Sequence, residues 1–282
     1  MKALTSYWCH AISESIVYPR CYLLAQMITF NLSKWYLDYV TDLGDVEIAY
    51  TGTAHWGPVC LHYSSILEAV EGRVRERHSL RQQARPEQEE STICWRSKAL
   101  NCETTWQAAA PPVRETVYCS SKGSIEWNCV MPLARAKARE RSGLGYVEHL
   151  EMTIPPWELP IRALRWGRFT SASDYVIWID WLGEFSRRIV YLNGEMIPCS
   201  TLEDERLEAQ DGTRLLMDRS LVLRDGPLGT TALSAVPGIR RMFPARLLQT
   251  NECKWRSRAR LERRGKAPVE GWAIHEIVSW AQ

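Results

Sequence analysis

Residues Asn251–Glu262 read NECKWRSRARLE. Cys253, Trp255, Ala259 and Leu261 fall on one parity, and Glu252, Lys254, Arg256, Arg258 and Arg260 on the other. An extended chain sends successive side chains to opposite faces, so this pattern predicts a strand with an apolar inner face and a charged outer one. Similar short runs recur on both sides. Toward the C-terminus lies GWAIHEIVSW (Gly271–Trp280), and upstream come RRIVYLNG (Arg187–Gly194), YVIWIDW (Tyr175–Trp181) and ALRWGRF (Ala163–Phe169). YVEHLEM (Tyr146–Met152), SIEWNCVM (Ser124–Met131), RETVYC (Arg114–Cys119) and VEIAY (Val46–Tyr50) continue the series. Many short strands with few helical patterns predict an all-β chain, mostly antiparallel, of sandwich or barrel type.

Two stretches break the rhythm. Glu71–Glu90 carries mixed charge and almost no apolar residue, and reads as a solvated loop or frayed helix. TIPPWELP (Thr153–Pro160) holds three prolines, which a central strand does not accommodate. The expected organisation is therefore a poorly patterned extension over 1–26 and two β-domains over 27–155 and 156–282. No repeat of 20–50 residues is visible, which disfavours a propeller or solenoid.

Composition narrows the function. The chain has 282 residues, with 45% hydrophobic and 24% charged residues, and this excludes bulk disorder, collagen and coiled coil. No apolar run reaches ~18 residues, so no membrane span is expected. The 35 Lys and Arg nearly balance the 33 Asp and Glu. The Arg-rich last third lacks any nucleic-acid-binding motif, so nucleic acid is not the expected partner. Nine cysteines without a C-x-x-C pair suggest reduced thiols in a cytoplasmic protein and no metal site. His10, Glu14 and Arg20 interrupt any secretory signal. Phosphate-binding glycine loops, H-E-x-x-H and G-x-S-x-G are missing, so no cofactor is expected. The 13 Trp and 11 Tyr against 4 Phe suit cavity walls, because each joins an apolar body to a polar tip.

If Thr170 pairs with Asp174 in the hairpin around Ser171–Ser173, Trp166 lies opposite Trp178 and Leu164 opposite Asp180. One face then holds Trp166, Arg168, Trp178 and Asp180, and the other holds the core residues Tyr175, Ile177, Ile179 and Trp181. A carboxyl in an aromatic wall has its pKa raised by desolvation and suits general-acid work. The plainer alternative is an Arg–Asp pair on a solvated face. In GLGYVEHLE (Gly143–Glu151), Glu148 and His149 point to opposite faces, as do His275 and Glu276. A lone histidine is more often structural than catalytic.

GSIEWNCVMP (Gly123–Pro132), GLGYVEHL (Gly143–Leu150), PPWELPIRALRWGRF (Pro155–Phe169), VIWIDW (Val176–Trp181) and GWAIHE (Gly271–Glu276) together resemble the carotenoid 1,2-hydratase (hydroxyneurosporene synthase) and AttH-like superfamily. The resemblance spans roughly Trp35 to Trp280. It implies two tandem lipocalin-like domains, and some fungal members look like intramolecular Diels–Alder cyclases. It points to His149 and Glu148, with Glu148 where the hydratases usually have Asp, and to Asp180 in an aromatic-x-Asp unit. Trp166, Trp178, Arg168, Trp127 and Tyr146 are the substrate wall expected beside them. The implied function is binding of a hydrophobic isoprenoid- or polyketide-like molecule and its proton-assisted hydration, isomerisation or cyclisation. A non-catalytic carrier with the same pocket is the competing expectation. Convergence of Asp180 and His149 in one cavity discriminates the two.

Overall fold

The computed structural model describes residues 30–280 except 237, 239, 240 and 242, so the extension expected over 1–26 lies outside the described residues. The first ten strands are β1 (Phe30–Val40), β2 (Val46–Trp56), β3 (Val59–Val70), β4 (Arg73–Ser79), β5 (Glu87–Glu89), β6 (Thr92–Ser97), β7 (Cys102–Ala108), β8 (Val113–Ser120), β9 (Gly123–Ala138) and β10 (Arg141–Met152). A 3-10 turn at Pro156–Glu158 follows. Then come β11 (Ile161–Thr170), β12 (Tyr175–Gly183), β13 (Arg187–Leu192), β14 (Glu195–Met196), β15 (Cys199–Leu202), β16 (Arg206–Ala209), β17 (Arg214–Met217), β18 (Leu221–Pro227), β19 (Asn251–Glu262) and β20 (Val269–Ser279).

The strands form two curled antiparallel sheets, each a half-barrel. The first runs β4-β3-β2-β1-β10-β9-β7-β6-β5, with β8 also on β9. The second runs β14-β13-β12-β11-β20-β19-β17-β16-β15, with β18 also on β19. Adding ten to each label of the first order yields the second. The chain thus repeats one topology twice, although no repeat is visible in its sequence. Glu71–Glu90, expected to be loop or helix, instead supplies β4 and β5. Arg73–Val70 and Arg77–Ile66 are cross-strand pairs, and Arg77 donates to Glu68 at 2.7 Å. Backbone pairing to β3 thus outweighs the missing apolar face, as is common at a charged sheet edge.

Each half-barrel has its own interior. Leu37, Tyr39, Ile66, Trp95 and Trp106 fill the first, and Phe169, Trp178, Val190, Leu207 and Leu261 fill the second. The outer faces of the central strands pack on each other and form a third cluster containing Tyr36, Tyr50, Trp127, Trp166 and Trp181. Central strands are therefore buried on both faces, and β12 is buried without interruption from Tyr175 to Trp181.

That double burial matters for the β11–β12 hairpin. Thr170 pairs with Tyr175, not with Asp174 as expected, so Trp166 faces Ile179 and Gly167 faces Trp178. Ser171 N–H donates to the Asp174 carbonyl at 2.8 Å, and Ser171 Oγ accepts from the Asp174 and Ser173 N–H groups at 2.9 and 3.3 Å. Asp174 is thereby part of the turn. A slip of one residue moves a strand's side chains to the opposite face. Trp166 joins Tyr175, Ile177, Ile179 and Trp181 between the sheets, while Trp178 turns into the second half-barrel. Its ring lies across Gly167, where a Cβ would come within 2.2 Å of Trp178 Cζ2 and 2.7 Å of His275 Cβ. Only glycine leaves room for that crossing.

Candidate active site

Between the sheets lies a cavity of about 390 Å³, within the ~300–1,000 Å³ typical of small-molecule pockets. Its wall is mostly apolar: Leu32, Leu61, Leu150, Met152, Ile179 and Val278 line it beside Trp127, Trp166 and Trp181. Phe30, Trp157 and Phe243 also line it, and Trp157 meets Phe30, Trp56 and Phe243 edge-on at ring-centroid distances of 5.8, 5.0 and 6.0 Å.

Two cross-strand rows supply its polar groups. In the first sheet Tyr50, Tyr36 and Glu148 stand side by side on β2, β1 and β10. In the second, Trp166, Glu276 and Lys254 stand side by side on β11, β20 and β19. Tyr36 and Trp166 occupy corresponding places in the two sheets and touch edge-on at 4.9 Å. Two residues further along these strands, Asp38 and Arg168 also correspond and form an ion pair, Arg168 Nη2 to Asp38 Oδ1 at 2.5 Å and Nε to Oδ2 at 3.1 Å. Both side chains are wholly buried.

Lys254 is the centre of the charged end. Its ammonium donates to Tyr50 Oη at 2.9 Å, pairs with Glu276, and lies 3.6 Å from Glu252 Oε1. Arg224 clamps Glu252 at 3.0 Å and also pairs with Glu76. Burial alone would lower the Lys254 pKa, but Glu276, Tyr50 and Glu252 hold it well above its ordinary value. Burial would raise Glu252, yet Lys254 and Arg224 hold it below the usual carboxylate range. Glu276 moves the other way: burial pushes it up, Lys254 opposes, and the Glu252 charge adds to the rise. Two neighbouring carboxyls are thus driven apart, the pattern that separates a proton donor from an ionised partner. Glu276 keeps 16% of its side-chain surface against 2% for Lys254, so it is the more reachable group. Burial also raises the Tyr36 and Tyr50 phenols, which stay protonated at neutral pH.

Of the residues expected from sequence, Trp166, Trp127 and Glu148 line this cavity. Glu148 Oε2 accepts from Trp127 Nε1 at 2.6 Å and from Tyr146 Oη at 2.7 Å, so Tyr146 stands behind the wall and holds it. The others lie elsewhere. Asp180 follows Trp178 out of the cavity; its carboxylate accepts from Arg188 Nε at 3.0 Å and pairs with Arg165 at 3.5 Å. His149 stacks on Trp35 at 4.5 Å and bonds Ser33 Oγ at 2.8 Å, on the face of β10 opposite Glu148. Asp180 and His149 therefore do not converge, so the acid–base pair on which the enzyme expectation rested is not formed, and a proton donor has to come from another residue of the cavity. Arg168 neither lines the cavity nor touches Asp180, because Asp38, Thr170 and the Trp272 carbonyl hold it. Lys254 and Glu252, read from sequence as an outer face, are buried between the sheets. Glu276, Tyr36 and Tyr50 were not among the expected residues.

His275, beside Glu276, points into the second half-barrel and bonds Ser257 Oγ at 2.8 Å. Burial, aided by Arg219, pushes its imidazole down to about 4 from 6.5. The folded pKa lies below the unfolded one, so protonation favours the unfolded chain. The stability tied to neutral His275 is complete above about pH 6.5 and is lost as the pH falls toward 4. At ~1.36 kcal/mol per unit, the wild type should lose about 3 kcal/mol more than His275→Gln across that window. Urea unfolding at both pH values measures this, and equal losses would contradict a buried neutral imidazole.

No protein-family model and no curated protein matches the sequence. Solved structures do match the fold. CghA, crystallised with Sch210972, aligns at TM-score 0.53 and 11% identity over 89% of this chain and 88% of its own. Kievitone hydratase from Nectria haematococca aligns at TM-score 0.51 and 12% identity over 88% of each chain. An AttH-like protein of Nitrosomonas europaea aligns at TM-score 0.49 and 8% identity over 97% of this chain and 99% of its own. Among the described residues no helix is long and apolar enough to cross a membrane. The chain shares with CghA and kievitone hydratase a fold of two tandem lipocalin-like half-barrels.

Proposed function

We propose that the intersheet cavity binds a hydrophobic isoprenoid- or polyketide-like molecule and that Glu276 protonates it, initiating hydration, isomerisation or cyclisation. The supporting observation is the pair of carboxyls around Lys254, pushed in opposite directions at the end of an apolar cavity. Two fold neighbours agree in kind, one named a hydratase and the other crystallised with the compound Sch210972.

Glu276 gives its proton to one alkene carbon. The π pair forms the new C–H bond, and the neighbouring carbon becomes cationic. The faces of Tyr36, Trp166 and Trp127 stabilise that cation. Water then adds to it and loses a proton, or a second alkene's π pair closes a ring before a C–H proton leaves. Either proton returns to a wall carboxylate, Glu276 or Glu148, so no net proton is consumed. In a carrier the same walls would hold the ligand and no proton would move.

Ala54 lines the cavity. Ala54→Phe fills space there, and should weaken farnesol binding, read by tryptophan fluorescence quenching, by roughly 10-fold or more. Its Tm should stay within a few degrees of wild type. Unchanged affinity would place the ligand elsewhere.

A further inference from the structure

The polar atoms of the cavity wall are unevenly committed. Each wall carboxylate already takes a protein donor: Glu148 from Trp127 and Tyr146, Glu252 from Arg224, Glu276 from Lys254. Donors remain over. Tyr50 accepts from Lys254 and donates to no described group. Lys34 stands on β1 between Gly52 and Leu150, lines the cavity, and makes no ion pair or hydrogen bond with a described residue. Its ammonium lies 5.3 Å from the Tyr50 ring centroid, and its charge reaches Glu252 and Glu276.

An unpaired donor facing an apolar cavity is costly, so Lys34 and Tyr50 fit a ligand that brings an acceptor to them. The strands approach closely beside Lys34. A Cβ at Gly52 would come within 2.8 Å of the Ser33 carbonyl oxygen and 3.2 Å of Lys34 Cα, so glycine permits this approach of β2 to β1. We propose that the ligand carries an anionic oxygen group, such as a carboxylate or an enolate, at one end of its apolar body, and that Lys34 receives it. Tyr50 donates to the same oxygens. This rests on the cavity being the ligand site and narrows its occupant: a pure hydrocarbon leaves Lys34 and Tyr50 unanswered.

Farnesoic acid, farnesol and farnesene share one isoprenoid body and differ at the end. Their affinities, read by tryptophan fluorescence at pH 7.5, separate the possibilities. The acid should bind about 10-fold or more tighter than the alcohol, as expected for a hydrogen bond between charged groups. Lys34→Met should reduce that preference to within about 3-fold, and Lys34→Arg should retain it. Equal affinities for all three, or a preference for the acid that survives in Lys34→Met, would overturn the inference and leave the cavity as ligand site. Failure of all three to bind would remove the cavity reading itself.

Discussion

Replacing Arg168 with leucine is expected to lower stability by about 3–5 kcal/mol, because it leaves the Asp38 carboxylate buried without its countercharge. At ~2–4 °C per kcal/mol for a chain of this size, the melting temperature should fall by roughly 6–20 °C. Asp38 would keep only the Tyr36 hydroxyl, which donates at 2.7 Å. The pair joins corresponding positions of the two half-barrels, so its loss acts where the sheets meet. The double substitution Asp38→Leu with Arg168→Leu should recover most of the loss, since a well-packed apolar pair of that kind is often neutral or better. Additive losses would show that the two residues do not act as a pair.

Glu276→Gln should abolish proton transfer while preserving shape. Farnesoic and geranylgeranoic acids incubated with wild-type protein in D2O should gain deuterium, with or without the mass of one water, as mass spectrometry would show. The glutamine variant should lower that rate by ~100-fold or more, the usual size of a lost general acid, with ligand affinity within a few-fold of wild type. The acid form is the active one, so the wild-type rate should fall as pH rises through the elevated Glu276 pKa, and this limb should vanish in the variant. Undiminished deuterium uptake in Glu276→Gln would falsify the acid role. Binding with no uptake by either protein favours the carrier.

The strands of both sheets were legible because alternation survives wherever one face is apolar and the other polar, as over Ser257–Leu261. The charged edge strand β4 was not, since pairing to β3 rather than burial fixes it. The site was legible only in part, and the reason is specific. Central strands such as β12 bury both faces, so parity alone cannot say which face meets the half-barrel interior and which the cavity. The choice depended on one turn. Counting Asp174 as a strand residue placed Trp178 and Asp180 in the cavity, whereas its role in the Ser171 turn exchanges the faces. The true row then runs Trp166–Glu276–Lys254 across three strands that are distant in sequence. Glu148 needed no such pairing, because its opposition to His149 within one strand left a choice of two residues. Lys254 looked like a member of a solvated basic stripe, and nothing in β19 alone reveals that the second sheet's outer face is covered by the first.

The claim that a ligand lies between the two sheets is tested most directly by a crystal structure with farnesoic acid. The isoprenoid should lie along Tyr36 and Trp166, with its carboxylate within hydrogen-bond distance of Lys34. A ligand seated inside either half-barrel, against Trp106 or Trp178, would contradict it, as would an empty intersheet cavity at saturating ligand.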